Sequence, residues 1–331
     1  MKKVITALIL ASLASVILGV VFGSVRIPLN DVVSSLSLPT ILKYLRGEVS
    51  GKAYIILGIR LPRVLLAYLV GFSLALAGTA TQALFKNPLA DPYILGISGG
   101  ASIGAVIALI YCPHLTEVFA FLGAVLAVYV VYNIAKVDGH VPVDILLLAG
   151  IAFGFFSHAI TSYLLYLNKD KVHQGLSWLY GTFSLASWEK VGIAFVVSLL
   201  GSFLLLTSWR ELNLLLLGEE SIALGLDINL YRKFIIFTVA LLTGVAVAES
   251  GIIGFVGLIS PHVMRMIVGP NHKRLLPTSA LFGGTLMVIS DLLSRTITAP
   301  VEIPIGIVTA LFGAPFFAYL LIKRKRGELY A

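Results

Sequence analysis

The stretch Leu217-Gly-Glu-Glu-Ser-Ile-Ala-Leu-Gly-Leu-Asp227 lies between two long apolar tracts of a 331-residue chain. Its paired acids, Glu219 and Glu220, are too costly to place in the hydrocarbon of a membrane, so we expect this stretch to lie in water. Acids in a first turn and Gly225 at the end predict a short helix. This helix could bind a protein partner, and the alternative is an ordinary solvated connector. A protein partner is favoured by the apolar side chains that no membrane would cover, which are Ile222, Leu224 and Leu226.

The composition shows what kind of protein surrounds this stretch. Hydrophobic residues make up 58% of the chain, charged residues only 12%, and the mean hydropathy is +0.99. These values lie well beyond those of soluble domains, so we expect an all-α integral membrane protein. Charge is confined to clusters, and the apolar runs between them are about as long as a bilayer crossing needs. We predict about ten spans in a single transmembrane domain over residues 1–331: 4–25, 64–84, 95–111, 118–135, 143–167, 191–208, 234–248, 251–268, 275–293 and 306–322.

Charges at the two ends of the chain predict its orientation. An even number of spans places both termini on one side, and the basic residues at 2–3 and 323–326 make that side the cytoplasm. The loop 209–233 is then cytoplasmic. We interpret the apolar N-terminal run as an uncleaved first span, because it is about twice as long as the core of a signal peptide. The net charge of +8 comes from Lys and Arg residues that flank the spans, so the expected surroundings are a lipid bilayer and not nucleic acid.

Patterns that resemble catalytic or nucleotide-binding motifs are incomplete. Gly96-Ile-Ser-Gly-Gly100 fits the nucleophile elbow of hydrolases formally, but it opens an apolar helix where that motif needs a preceding strand. Residues 47–53 are one residue short of a P-loop and lack the Ser or Thr after its Lys, so we expect no ATP site. His262 has no ligand partner at i+4, which favours a structural histidine, and the single Cys112 excludes a multi-cysteine metal site. We predict no catalytic residue, metal or cofactor in this chain; a membrane hydrolase using Ser98 or His262 is the weakest alternative.

Small residues recur at spacings that predict close helix packing. Gly96, Gly100 and Gly104 are four residues apart, so they share a helix face that another backbone can approach. Gly150 and Gly154 repeat this spacing in the fifth span. Lipid-facing glycines without a packing role are the less favoured alternative, because each series keeps to one face.

Two segments are predicted to interrupt the helices. Residues 87–92 combine two prolines with turn-forming Asn and Asp, so we expect a tight hairpin just after the polar Gln82. Residues 251–262 place three glycines and a proline inside a span, and a broken helix survives in a membrane only where protein or a cavity surrounds it. The residues that carry these two interpretations are Asn87, Pro88, Asp91, Pro92, Gly254, Gly257 and Pro261.

Charged residues mark the predicted outer ends of two spans. Arg60 and Arg63 lie on either side of Pro62 at a helix start, and we expect both side chains to project from the outer membrane surface. Two cations so close together suit an acidic partner, with snorkelling to lipid phosphates as the alternative. Asp291 and Arg295 are four residues apart, which favours an ion pair along a helix. The spans carry no series of deep acids of the kind that ion-driven carriers use, so energy for transport would come from elsewhere.

A dense series of motifs runs in order from Arg60 to Leu321. It comprises Arg-Leu-Pro-Arg at 60–63, Ala-Leu-Ala-Gly at 75–78, Asn-Pro-Leu-Ala-Asp-Pro at 87–92, Leu-Gly-Ile-Ser-Gly-Gly-Ala at 95–101, Leu-Ala-Gly at 148–150, Gly-Phe-Val-Gly-Leu-Ile-Ser-Pro-His at 254–262, Glu-Ile-Pro-Ile-Gly at 302–306 and Gly-Ala-Pro-Phe-Phe at 313–317. With this series the chain resembles the permease subunits of ABC importers for iron–siderophore, haem and cobalamin. One small departure is Ser260, where many relatives carry a larger apolar residue.

The resemblance implies a fold, an assembly and a set of contacts. It implies the type II ABC importer permease architecture in the cell inner membrane, a second copy of the chain, two cytoplasmic subunits that bind ATP and Mg, and an extracytoplasmic substrate-binding protein. It implies a pathway lined mainly by the fifth and tenth spans of both copies. It assigns the ATPase contact to Gly218, Glu219, Glu220, Ala223, Leu224 and Gly225, and the binding-protein contact to Arg60, Arg63 and Arg295.

The resemblance leaves the cargo open within one chemical class. It implies a metal chelate, with iron–siderophore first and haem or cobalamin next. An ion-gradient-driven secondary carrier or channel is the alternative of a different mechanism, and it would transport without ATPase subunits.

Overall fold

The computed structural model describes residues 2–23, 27–218 and 220–325. Glu219, one of the predicted contact residues, lies outside them. Within these ranges the chain forms sixteen α-helices and no β-strand. They are α1 (Lys2–Val21), α2 (Leu29–Ser35), α3 (Leu38–Leu45), α4 (Gly51–Tyr54), α5 (Leu61–Leu84), α6 (Ile97–Tyr111), α7 (Thr116–Ala135), α8 (Val143–Leu167), α9 (Val172–Leu179), α10 (Trp188–Thr207), α11 (Trp209–Leu215), α12 (Glu220–Ala223), α13 (Ile228–Ser250), α14 (Val256–Val268), α15 (His272–Thr296) and α16 (Ile305–Lys325).

Ten of these helices account for the apolar tracts. Seven are long and apolar enough to cross a membrane: α1, α5 with the helical turns before it, α7, α8, α10, α13 and α15. Three shorter apolar helices, α6, α14 and α16, bring the total to the predicted number. The chain is therefore an all-α multi-pass membrane protein with about ten spans. Two ends of the bundle can be distinguished: the connector end carries α11 and α12, and the far end lies opposite.

The eighth span is interrupted where its glycines predict. The helix α14 begins at Val256 and not at 251, because residues 251–255 are not helical. Its 13 residues cover about 20 Å, less than the hydrocarbon thickness, so the non-helical segment completes the crossing. The hydroxyl of Tyr93 donates to the carbonyl of Ile253 at 3.1 Å and accepts from its amide at 3.2 Å. Protein surrounds the break, which keeps its backbone groups satisfied.

The helix α5 forms the core of the bundle and is buried along nearly its whole length. It crosses α15 where Gly71 meets Gly283, and it crosses α14 where Gly78 meets Gly257. A Cβ atom at Gly71 or Gly78 would overlap a backbone carbonyl of the facing helix. Backbones this close can be built only from glycine, so both crossings depend on these residues.

Most glycines of the predicted packing faces lie directly against a neighbouring helix or turn. A Cβ at Gly100 would overlap the carbonyl of Gly123 on α7, and one at Gly104 would overlap the carbonyl of Phe119. Gly150 meets the carbonyl of Ile94 in the turn before α6, and Gly96 lies against Phe153 and Val131. Among the described residues, none lies within 4 Å of a Cβ built at Gly154 or Gly254. A Cβ built at Gly99 would lie 3.6 Å from the Cα atom of Gly154, so α6 and α8 are close there, and the packing role of Gly154 stays a prediction. Gly254 lies in the predicted helix break.

Candidate coupling surface and its connections

The connector between α10 and α13 forms a compact loop with one exposed edge. After α11, the chain turns at Gly218 and α12 follows. The Ser221 hydroxyl, fully buried, donates to the carbonyl of Gly218 at 2.5 Å. Gly218 and Gly225 both have positive φ, at +72° and +84°, which glycine adopts without steric cost. The short helix with an acid in its first turn and glycine at its end is the one predicted from the sequence.

Apolar side chains occupy the exposed edge of this loop. Ile222 is 60% exposed and Leu224 is 61% exposed, and Ala223 between them is exposed as well. Leu226 was predicted to join them, but it is only 8% exposed and packs into the core of the bundle. Of the three predicted apolar side chains, Ile222 and Leu224 are therefore exposed and Leu226 is not. Such a pair on a water-exposed loop is a typical protein contact.

Side chains from distant parts of the sequence hold the connector against the bundle. The Lys86 ammonium group, in the hairpin after α5, lies against Gly218, where a Cβ atom would overlap it. Asn229, at the start of α13, donates from its amide to Nδ1 of His140 at 2.7 Å. Arg232 donates to the carbonyl of Val141 at 3.1 Å. The connector cannot shift without displacing the loops on either side of it.

A second set of contacts joins α11 to the start of α15. The Asn213 side-chain oxygen accepts from the backbone amide of His272 at 3.0 Å and from its Nδ1 at 2.7 Å. The Lys273 ammonium lies 5.2 Å from the ring centroid of Trp209. Neither Asn213 nor Trp209 was singled out from the sequence, because a single polar or aromatic residue near a helix end has many ordinary explanations. These contacts link the connector to the helix that crosses α5.

The hairpin between α5 and α6 also lies at the connector end, and two of its side chains close turns. The Asn87 side chain accepts from the amide of Leu89 at 3.0 Å and closes a turn around Pro88. The Asp91 side chain accepts from the amide of Tyr93 at 2.9 Å and closes a turn around Pro92. Burial raises the pKa of the Asp91 carboxyl to about 6, and the hydrogen bond from Tyr93 opposes that shift.

One polar bridge connects α5 to α14 across the glycine crossing. Arg265 donates from Nη2 to the side-chain oxygen of Gln82 at 2.6 Å, and Gln82 donates to the carbonyl of Leu258 at 3.2 Å. His262, one turn before Arg265 and next to Pro261, has no hydrogen-bond partner among the described residues and contacts the edge of Phe316. The prediction of a structural histidine, and not a ligand, remains a prediction.

The far end holds a buried ionic cluster. Arg63 donates from Nε to Oδ1 of Asp291 and from Nη1 to Oε1 of Glu302, each at 2.9 Å. Arg295 lies 3.2 Å from the other Asp291 oxygen, which is the predicted pair along the helix, and donates to the carbonyl of Gly19 at 2.7 Å. Arg60 donates to backbone carbonyls at the end of α1.

The outer arginines therefore do not project as predicted. Arg60, Arg63 and Arg295 are 5%, 7% and 3% exposed. Acids that follow more than two hundred residues later neutralise Arg63, and helix-end carbonyls accept from the other two. Their contact with a binding protein stays a prediction, and it would require them to leave these partners.

A structural comparison defines the class of protein. An inward-facing structure assigned to the metal-chelate type of ABC transporter matches 98% of this chain and 100% of its own, with a TM-score of 0.85 and 33% identity. The ten-span bundle and its connector thus have the architecture of a type II ABC importer permease.

Sequence comparison then gives the family. The profile of the FecCD transport family matches residues 8–323, and the chain belongs to this family. The cobalamin import system permease protein BtuC of Halobacterium salinarum is 44% identical, over 85% of this chain and 77% of that protein. The hemin transport system permease protein HmuU of Yersinia pestis is 40% identical, over 82% of this chain and 84% of that protein.

Proposed function

We propose that two copies of this chain form the membrane pathway of a binding-protein-dependent ABC importer for a metal chelate. In this proposal ATP is hydrolysed by two separate subunits that dock at the connector end, which faces the cytoplasm together with both termini. A substrate-binding protein delivers cargo at the far end, in the cell inner membrane. The exposed apolar edge of the connector carries the proposal, since a firmly held loop with two exposed large apolar side chains suits a docked partner.

The contacts of the connector suggest how ATP-driven motion would reach the pathway. A partner that moves α12 also moves the hairpin after α5 through Lys86 and the start of α15 through Asn213. At the glycine crossings the backbone of α5 is in direct contact with α14 and α15, so these three helices would move as one body. The polar bridge from Arg265 to Gln82 adds a second tie across the same crossing. Displacement at the connector is thus passed to the far end.

The cargo proposal rests on family membership and on the relatives. The similar proteins from Halobacterium salinarum and Yersinia pestis carry the names of cobalamin and hemin permeases. We propose a metal chelate as the class, with an iron–siderophore as the first cargo to test and haem or cobalamin next. An ion-gradient-driven carrier is the second candidate, and it requires no partner at the connector.

The docking proposal can be tested by placing a charge on the apolar edge. Leu224→Asp should abolish co-purification of the ATPase subunits and binding-protein-stimulated ATP hydrolysis, because a carboxylate would be desolvated at the contact. Leu38→Asp is the matched control for co-purification of the ATPase subunits, since Leu38 is 69% exposed on α3, away from the connector. Both variants should fold, because neither side chain is buried. Equal ATPase binding by the two variants would refute docking at this edge.

A further inference from the structure

A groove on the side of the bundle differs from the other cavities at membrane depth. It lies between α6, α8 and α9 and encloses about 350 Å³. Its walls carry hydroxyl groups and an imidazole, from Ser98, Ser102, His158, Thr161, Ser162 and Tyr180. By contrast, the groove between α7 and α13 is lined by residues such as Phe121 and Val125. The groove beside α14 is lined by residues such as Phe255 and Ile259. Those two suit lipid chains, and the first does not.

Part of this polar lining is without a partner. Ser102 and Thr161 hydrogen-bond to each other at 3.1 Å and so join α6 to α8. His158 and Ser162 are exposed, and within the described residues neither side chain makes a hydrogen bond. Two hydrogen-bonding groups are therefore available to a ligand in the groove.

The position of His158 makes its exposure informative. It lies about 22 Å along α8 from Val143, on a helix of about 37 Å, so it is well inside the membrane. A polar side chain at that depth is costly against lipid and is found facing a bundle interior or a water-filled cavity. Gly154, His158 and Ser162 are four apart and form one stripe on α8, while Phe156 lies about 160° around the helix. The stripe lines the groove, and a polar stripe at this depth suits a water-filled cavity, whereas the Phe156 side suits lipid.

We propose that this groove is a hydrogen-bonding subsite on the wall of the transport pathway, with His158 as a specificity-determining contact to the chelate. The proposal rests on the proposed function, because it needs the groove to face the space between two copies. Two symmetry-related grooves would then contact opposite edges of one cargo molecule.

The chemistry of the lining indicates which part of a chelate it binds. The groove has hydroxyl, phenol and imidazole donors and no Lys, Arg, Asp or Glu in its lining. Such a wall recognises peripheral oxygen atoms, as in hydroxamate, carboxylate or amide groups, by neutral hydrogen bonds. Its volume lies at the lower end of ligand pockets, so it holds one edge of a chelate and not the whole molecule. Contacts of this kind discriminate between cargoes without trapping them.

Transport by the reconstituted complex tests the subsite. The permease, its ATPase subunits and its binding protein are placed in proteoliposomes with a ferric hydroxamate, haem or cobalamin, whichever the wild type carries fastest. His158→Leu should lower transport at limiting cargo about 2- to 10-fold, the value of one hydrogen bond. His158→Gln keeps a donor and should stay near the wild type. Binding-protein-stimulated ATP hydrolysis should be unchanged in both, which shows that folding and coupling are intact. Equal transport by the Leu variant and the wild type would overturn the subsite.

Labelling tests the water-facing stripe independently of the cargo. The only cysteine, Cys112, is first replaced by alanine. His158→Cys should then react with a charged maleimide in the assembled complex, and Phe156→Cys should not. An unreactive Cys at 158, or equal reactivity at both positions, would overturn the proposal. Failure of the proposed function would look different, because the wild-type complex would then carry none of the three cargoes, whatever the labelling pattern.

Discussion

Replacing Asp291 with asparagine is the sharpest test of the ionic cluster at the far end. Its side chain is 1% exposed and pairs with both Arg63 and Arg295. Removing one partner of a buried pair costs about 3–5 kcal/mol, because the remaining charge stays buried without compensation. We therefore expect Asp291→Asn to lower the free energy of unfolding by about that amount. In a chain of this size the melting temperature should fall by roughly 4–7 °C.

Two milder variants give the scale for this prediction. Glu302→Gln removes a carboxylate whose side chain is 34% exposed and should cost about 1 kcal/mol or less. Asp31→Asn removes an ion pair with Lys52, whose side chains are 38% and 62% exposed, and should change stability least. Thermal unfolding of the purified proteins in detergent, followed by circular dichroism, ranks the three variants by their loss of stability.

A double variant then separates the ion pair from other effects. Asp291→Asn combined with Arg63→Gln should lose less stability than the sum of the two single changes, because each single change already removes the same ion pair between Asp291 and Arg63. The reasoning would be refuted if Asp291→Asn were as mild as Asp31→Asn, or if the double variant were fully additive.

Three further predictions concern the connector end and the helix crossings. Gly78→Ala should destabilise the protein by about 3 kcal/mol or more, because its Cβ would overlap a carbonyl of α14. Gly154→Ala should be nearly neutral in the same melting assay, and equal losses would contradict the packing. Gln82→Leu should cost about 1–3 kcal/mol by leaving the Arg265 guanidinium short of an acceptor, and a neutral result in urea titration would contradict the bridge. The raised pKa of Asp91 implies stability that is full below about 3.8 and lost as pH rises through about 6. Asp91→Asn should therefore gain stability relative to the wild type as pH rises from about 4 to about 6. A pH-independent difference in melting temperature between the two proteins would contradict this.

Much of the fold follows from short-range patterns in the sequence. Runs of apolar residues between charge clusters locate the spans, and for α8 the predicted segment 143–167 coincides with the helix. The short α12 follows from its acids and glycines. These signals lie within a few residues of each other, so the chain reveals them without any tertiary contact.

The features that the sequence did not predict depend on neighbours far away in the chain. Arg63 is an outer cation by position, and only the approach of Asp291 and Glu302 makes it a buried one. Gly150 and Gly154 have the same spacing pattern, but only the first meets a backbone carbonyl.

The proposed role of His158 could not be predicted from the sequence for a similar reason. A lone histidine in an apolar run does not show which way it faces, and the groove between α6, α8 and α9 exists only in the folded bundle.

Uptake by reconstituted protein tests the central claim, that transport is driven by ATP hydrolysed on partner subunits. Proteoliposomes would hold the permease with or without its ATPase subunits, with binding protein and cargo outside, ATP inside, and a proton or sodium gradient imposed or absent. We predict uptake only when both ATPase subunits and ATP are present, with or without the gradient. Gradient-driven accumulation by the permease without ATPase subunits would contradict the account.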